Sequence, residues 1–182
     1  MMTDLDLMNS GLLGFVEILA GEVHTPSPNS YQQNPTSQNI LTALEPFSAH
    51  GELLPSNLGY VLRRHGDHIQ TLRLPDISYT PHTAIRNHHP DPKRLPSAPL
   101  LAVKVVAEYL SVAYLEAFIT DFHEAGTKQV WLVYPSNETV DCYHTNGTIQ
   151  HYTQADTLSV EDILPVRAEL SIANFFVYPW KQ

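Results

Sequence analysis

The sequence contains a single cysteine, Cys142, among 182 residues. An intramolecular disulfide is therefore excluded, and we expect a fold that is stable in the reducing cytoplasm. Positive charge is also scarce, because ten Lys and Arg residues stand against 19 Asp and Glu residues and leave a formal charge of −9 at pH 7. This excess of acidic residues argues against a broad basic face that binds the phosphates of nucleic acid, although it permits a local positive groove.

Long apolar runs and several catalytic motifs are missing as well. The N-terminal segment is acidic where a signal peptide needs positive charge, and Glu17 interrupts the apolar stretch, so we expect neither an export signal nor a membrane span. The chain has no Gly-rich phosphate loop, no serine nucleophile elbow and no paired CxxC motif. Its length predicts one domain, which we place at residues 15–182 behind an N-terminal arm at residues 1–14.

The N-terminal half predicts strands around one helix. Residues 15–24 indicate a short hairpin with its break at Ala20-Gly21. Asn34-Pro35 is a good helix start, and Pro46 should end that helix early. Two further strands are expected on either side of a turn at residues 65–68, and an extended run follows at residues 76–80.

The C-terminal half predicts a mixed sheet. Residues 100–106 form a nearly continuous apolar run that is typical of a strand buried on both faces. A helix at residues 107–125 and a strand at residues 130–134 complete a βαβ unit with parallel strands. Asn146-Gly147 then indicates a tight hairpin. The expected fold class is α/β, or mixed α+β, with a mixed central β-sheet flanked by helices and an N-terminal hairpin and helix.

Three short motifs follow this hairpin and helix in a fixed order. They are Pro75-Asp76 after a strand pair, Glu124-Ala125-Gly126 at a helix end, and Val130-Trp131-Leu132-Val133 with Pro135 two residues on. Their order from residue 15 to residue 176 resembles a large bacterial family of restriction-endonuclease-like proteins with the PD-(D/E)XK nuclease fold. The resemblance implies Mg²⁺-dependent hydrolysis of DNA phosphodiesters, with two strand acids that hold the metal and a Lys that positions the attacking water.

The chain departs from this family pattern at the second strand acid. Asp76 occupies the first acidic position and is the one metal ligand that the resemblance gives. If the family's strand Glu is aligned through Pro99, it falls on Lys104, and the Lys of the following helix falls on Phe118. If Lys104 is instead the last residue of an acid-x-Lys triplet, the acid falls on Ala102. The strand carboxylate is missing in both alignments.

Two interpretations of the site remain open. Lys104 is the one polar residue in an apolar strand, and a buried ammonium needs a partner, which predicts an ion pair with Asp76 in place of the metal. Alternatively, Glu17 or Glu22 of the first hairpin replaces the lost ligand and keeps an Mg²⁺ site active. Glu108 and Glu116 are closer in sequence but are expected on the helix.

Three functional hypotheses follow. The first is a degenerate catalytic centre, in a homodimer that retains double-stranded DNA or another partner. The second is an active metal-dependent nuclease with Asp76, Lys104 and either Glu17 or Glu22 as its catalytic residues. The third is a domain that serves only protein–protein interaction.

Other clusters have simpler explanations. His82, His88, His89 and Asp91 lie in a long polar connection that we interpret as solvated, although a metal site there stays open. A two-residue loop at Asn146-Gly147 would place Cys142, His144 and His151 on one hairpin face, where half-buried strand residues are the default and zinc the alternative. Two cation pairs, Arg63-Arg64 and Lys93-Arg94, are interpreted as surface charge rather than as the rim of a DNA groove.

Overall fold

Helices and strands account for most of the computed structural model, which describes residues 2–26, 32–55, 58–82, 98–164 and 167–181. None of the described helices is long and apolar enough to cross a membrane. The α-helices are α1 (Asp4–Asn9), α2 (Gln33–Leu44) and α3 (Val112–Glu124), and short 3-10 helices span Glu45–His50, Ile172–Phe176 and Pro179–Lys181. The strands are β1 (Glu17–Leu19), β2 (Glu22–His24), β3 (Gly51–Pro55), β4 (Tyr60–His65), β5 (His68–Arg73), β6 (Ile77–Pro81), β7 (Leu101–Val105), β8 (Gln129–Tyr134), β9 (Thr139–His144), β10 (Ile149–Tyr152), β11 (Thr157–Ser159) and β12 (Glu169–Ser171).

The larger sheet has six strands in the order β10-β9-β8-β7-β6-β3. Strands β7 and β8 are parallel and are joined through α3, so the expected βαβ unit is confirmed. The other neighbours in this sheet are antiparallel. The sheet is therefore mixed, as the sequence pattern predicts. Strands β11 and β12 form a separate antiparallel pair.

Helices cover both faces of the larger sheet, and strand β7 shows how the two faces are divided. All five residues of β7 are buried, which explains its continuous apolar run. Leu101, Val103 and Val105 join the cluster that includes Ile40 and Leu44 of α2. Ala102 points to the opposite face and joins the cluster built on α3. Because side chains alternate along a strand, residue 104 also faces α3.

The smaller sheet has four strands in the order β2-β1-β5-β4. The hairpin β1–β2 turns at Ala20 and Gly21, with φ of 52° and 83°, as a two-residue turn with left-handed residues requires. Helix α1, in the segment that we expect to be an arm, contributes the buried Leu7 to the apolar cluster on one face of this sheet. The members of this cluster are Leu7, Val16, Ile18, Val61, Ile69 and Leu72.

One of the two predicted helix starts lies within two residues of the observed start, and the other does not. Helix α2 begins at Gln33 with Gln32 as its N-cap, two residues before the start expected with Asn34 as cap and Pro35 as first helical residue. At Glu45 the chain passes into a 3-10 helix that contains Pro46. The helix expected from residue 107 begins instead at Val112, so that boundary is wrong. Ser111 is the N-cap, because its Oγ accepts a hydrogen bond of 3.2 Å from the backbone N–H of Tyr114.

Candidate functional site

The candidate site lies where β6 begins beside the end of β7. The antiparallel register pairs Ile77 with Val103, which brings Asp76 to the carboxyl end of β7. The backbone N–H of Asp76 donates to Val103 O at 2.8 Å, and the backbone N–H of Val105 donates to Asp76 Oδ2 at 2.7 Å. Strand pairing and this second bond therefore fix the carboxylate in place.

The ammonium of Lys104 lies against the other oxygen of the same carboxylate. Lys104 Nζ is 3.3 Å from Asp76 Oδ1, and the two side chains are 10% and 9% exposed. The contact that the lone strand cation predicts is thus present. Lys104 Nζ also lies 5.9 Å from the centre of the Phe118 ring, a cation–π distance. Positions 104 and 118, at which the alignment through Pro99 places the family's Glu and Lys, are therefore close together.

Glu17 is buried in a second network next to this pair. Its Oε1 accepts a hydrogen bond from the backbone N–H of Leu74 at 3.1 Å. Its Oε2 accepts from Arg73 at 3.3 Å and from the Tyr114 hydroxyl at 3.0 Å. Both oxygens of Glu17 are thus engaged by groups of the chain itself. Burial, followed by the charge of Glu17, raises the pKa of Tyr114 well above its usual value.

Arg73 connects this second network to α3. Its side chain is 2% exposed, and its guanidinium donates to Asp121 Oδ2 as well as to Glu17. The guanidinium carbon lies 5.1 Å from the centre of the Tyr114 ring and 6.0 Å from that of Phe118. Phe118 is therefore within cation–π distance of both buried cations, Arg73 and Lys104.

Sequence reasoning missed the roles of Arg73, Tyr114 and Asp121. A signal was available for Arg73, because it is a charged residue in a predicted strand that leads directly into Pro75-Asp76. A buried guanidinium requires acidic partners. Glu17 gives a comparable signal, because it is a charged residue within the apolar sequence of the first hairpin. No local pattern identifies Asp121. It lies next to Arg73 only because α3 packs on the smaller sheet.

The remaining candidate acids lie outside these networks. Glu22 is exposed on β2, the outer strand of the smaller sheet. Glu108 precedes α3, whereas Glu116 lies on it as expected, and both are exposed. Of the four candidate catalytic residues, the structure thus brings Asp76 and Lys104 into contact, buries Glu17 beside Arg73 and leaves Glu22 at an edge.

The second hairpin does not place its three candidate ligands on one face. The loop has three residues instead of two, because His144 N–H donates to Thr148 O and Tyr143 pairs with Ile149. His151 consequently pairs with Asp141, and its Nδ1 lies 2.7 Å from Asp141 Oδ1. The two-residue loop was the error, since a shift of one residue moves a side chain to the other face.

Cys142 and His144 stay together on the hairpin. Cys142 Sγ lies 3.4 Å from His144 Nε2, and burial raises the pKa of this thiol to about 12. A thiol with that pKa is protonated at neutral pH and is a poor nucleophile and metal ligand.

The histidine-rich connection lies mostly outside the described residues, which include His82 but not His88, His89 or Asp91. The same holds for the cation pair Lys93-Arg94. Within the described part of the chain, no group of three or more His, Cys, Asp or Glu side chains is arranged to hold a metal ion.

The residues around Asp76 do not fit a divalent metal. Mg²⁺ prefers several oxygen ligands, commonly one or two carboxylates together with water. Here Asp76 offers one carboxylate, whose oxygens already accept from an ammonium and a backbone N–H. The second strand position supplies a positive charge, and the nearby carboxylate of Glu17 is held by Arg73. No catalytic step through a metal can be derived from this arrangement.

The mixed sheet with helices on both faces is a restriction-endonuclease-like α+β fold. The same fold occurs in a crystal structure described as that of "a putative nuclease belonging to DUF820" from Anabaena variabilis, with a TM-score of 0.74 and 15% sequence identity over 97% of this chain and 98% of the other. The chain belongs to the Uma2 family, described as "Putative restriction endonuclease", whose sequence model matches residues 9–173. No curated protein matches the chain.

Proposed function

We propose that this chain is a restriction-endonuclease-like protein without phosphodiesterase activity, in which the Lys104 ammonium takes the place of the catalytic metal. The observation that carries the proposal is the 3.3 Å contact between Lys104 Nζ and Asp76 Oδ1 in a buried site. A family acid at position 104 would attract a cation, whereas the residue present repels it.

The size of this repulsion supports the proposal. At a separation of about 4 Å and an effective dielectric constant of about 20, a pair of unit charges interacts by roughly 4 kcal/mol. A divalent ion beside Lys104 would therefore meet roughly 8 kcal/mol of repulsion, where a glutamate would supply a similar attraction. Movement of the lysine would reduce this value but would also separate Asp76 from its counter-ion.

Calorimetric titration with Mg²⁺ and with Mn²⁺ tests the loss of the metal. We expect no stoichiometric binding to the unmodified protein. Stoichiometric binding that disappears in Asp76→Ala would refute the proposal and would favour the active nuclease in which Glu17 or Glu22 completes the site. Binding that is the same in Asp76→Ala would point to a different cation site and would leave nuclease assays to decide.

Restoring the family pattern is the stronger test. The double variant Lys104→Glu with Phe118→Lys returns one carboxylate and one catalytic lysine to the positions that the alignment gives them. We expect it to gain Mg²⁺-dependent cleavage of plasmid DNA that the parent lacks. The control Lys104→Gln with Phe118→Leu removes the same cation without adding either functional group and should stay inactive. Equal cleavage by parent and restored variant would overturn the proposal.

For the retained role we propose binding of duplex DNA, which the family description suggests. Several described arginines already face carboxylates: Arg63 and Arg73 face Asp121, Arg64 faces Asp4, and Arg167 faces Glu161. Few cations of the described residues are thus left for phosphates, so we expect weak binding that is confined to low salt. Fluorescence anisotropy with a labelled duplex, measured from about 50 to 200 mM salt, tests this role. The absence of binding at the lowest salt would favour a protein–protein role instead.

A further inference from the structure

Strand β2 leaves one edge of the smaller sheet open among the described residues. All three of its residues are exposed, and Val23 is 44% exposed despite being apolar. No described strand pairs with its outer side, since the sheet order ends at β2. Exposed sheet edges readily pair with another strand, and natural proteins usually cover or charge them.

The hairpin turn determines which backbone groups point to that open edge. In a two-residue hairpin the residues that flank the turn, here Leu19 and Glu22, exchange hydrogen bonds with each other. The next pair, Ile18 and Val23, therefore directs its N–H and C=O groups away from the hairpin. Ile18 accordingly pairs with Leu72 of β5 on its side. Val23 points its N–H and C=O outward on the other side.

We propose that β2 is the interface of a homodimer, in which it pairs antiparallel with β2 of a second copy about a two-fold axis at Val23. In this register the two Val23 residues exchange both backbone hydrogen bonds. Glu22 then lies opposite His24 of the partner subunit, and His24 lies opposite Glu22 of the partner subunit. An imidazole N–H opposite a carboxylate is a favourable cross-strand pair, and the symmetry provides it twice.

The side chains of β2 are available for this pairing. Glu22 and His24 make no side-chain hydrogen bond or ion pair that the structure records. Strand β10, another edge strand with exposed residues, is different, because Gln150 contacts His144 and His151 contacts Asp141 within the chain. The β2 edge thus offers polar side chains that have no recorded partner among the described residues and that are self-complementary.

Exposed apolar residues precede the hairpin in sequence, and we extend the proposed interface to them. Phe15, two residues before β1, is 67% exposed, and Leu12 is 39% exposed. A specific dimer usually buries at least about 1,000 Å² in total, which three strand residues do not provide alone. We therefore include Phe15 in the interface together with β2.

Sedimentation velocity of the full chain over a concentration series tests this interface, and the unmodified protein should show a monomer–dimer equilibrium. The variant His24→Glu places two glutamate pairs across the axis and should weaken the dimer about tenfold. The double variant Glu22→Lys with His24→Glu places Lys opposite Glu and should restore it. Both substituted residues are exposed, so these variants should keep the fold, which circular dichroism checks.

Val23→Pro is an independent variant, because it removes an N–H that the hairpin itself does not use. We expect it to be a folded monomer. A protein that stays monomeric throughout the series refutes the proposal. A dimer that is unaffected by both His24→Glu and Val23→Pro also refutes it, and failure of the charge-exchanged double variant to recover would overturn the Val23-centred register. None of these results depends on whether the protein cleaves DNA.

Discussion

Lys104→Met tests directly whether the buried ion pair organises the candidate site. The substitution removes the ammonium but keeps an unbranched apolar side chain of similar length against Phe118. It leaves Asp76 as a buried carboxylate without its counter-ion, which typically costs about 3–5 kcal/mol. We expect a value near the lower limit, about 3 kcal/mol, because Val105 N–H still donates to Asp76 Oδ2 at 2.7 Å.

Urea unfolding followed by fluorescence measures this loss, since Trp131 is fully buried in the core. For a chain of this size, about 3 kcal/mol corresponds to a decrease of roughly 6–12 °C in melting temperature. Lys128→Met is the matched control at an exposed lysine and should change stability by no more than about 0.5 kcal/mol. The double variant with Asp76→Asn should show a coupling of at least about 1 kcal/mol. Equal effects of the two lysine substitutions, or strictly additive effects at 104 and 76, would refute the ion pair.

Three further predictions concern other parts of the fold. Arg73→Met should destabilise the protein by about 3–5 kcal/mol, because it leaves Glu17 buried without its cation, whereas Arg63→Met at a 58% exposed side chain should cost less than about 1 kcal/mol in the same urea assay. Cys142 should resist alkylation by iodoacetamide at pH 8 until the protein is unfolded, since that pH lies far below its pKa of about 12, and rapid labelling of the native protein would contradict its burial. Gly147→Ala should cost about 1 kcal/mol through its φ of +85° alone, since a Cβ there meets no other atom, and Gly147→Asn should cost less.

Sequence patterns predicted the parts of the fold that rest on local signals. The continuous apolar run of β7 and the amphipathic α3 identified the βαβ unit, and Ala20-Gly21 identified the first hairpin. The proximity of Asp76 and Lys104 also followed, because both lie on strands that were expected to be neighbours. The boundary errors arose where several local signals compete, as at Ser111, which caps α3 later than the helical composition indicates.

The Arg73 network could not be predicted because it depends on long-range register. Glu17 is 56 residues from Arg73 in sequence, and a single pairing, Ile18 with Leu72, brings their strands together. Asp121 then joins only because α3 packs against this sheet. The hairpin at residues 139–152 shows the same limit at short range, since Asn146-Gly147 indicated a turn but not a three-residue loop.

In the alignment through Pro99, the residues at positions 104 and 118 are physically coupled. A lysine at both positions would place two ammonium groups in one buried space, where like charges repel strongly. A glutamate at 104 with Phe118 retained would place a second carboxylate beside Asp76 without a cation to balance it. The ring of Phe118 instead accepts the Lys104 ammonium at 5.9 Å while Asp76 neutralises it. Without a bound metal, either single substitution therefore leaves an unbalanced buried charge. The double variant is the one that supplies both groups of that alignment, the carboxylate for a metal and the lysine for the attacking water.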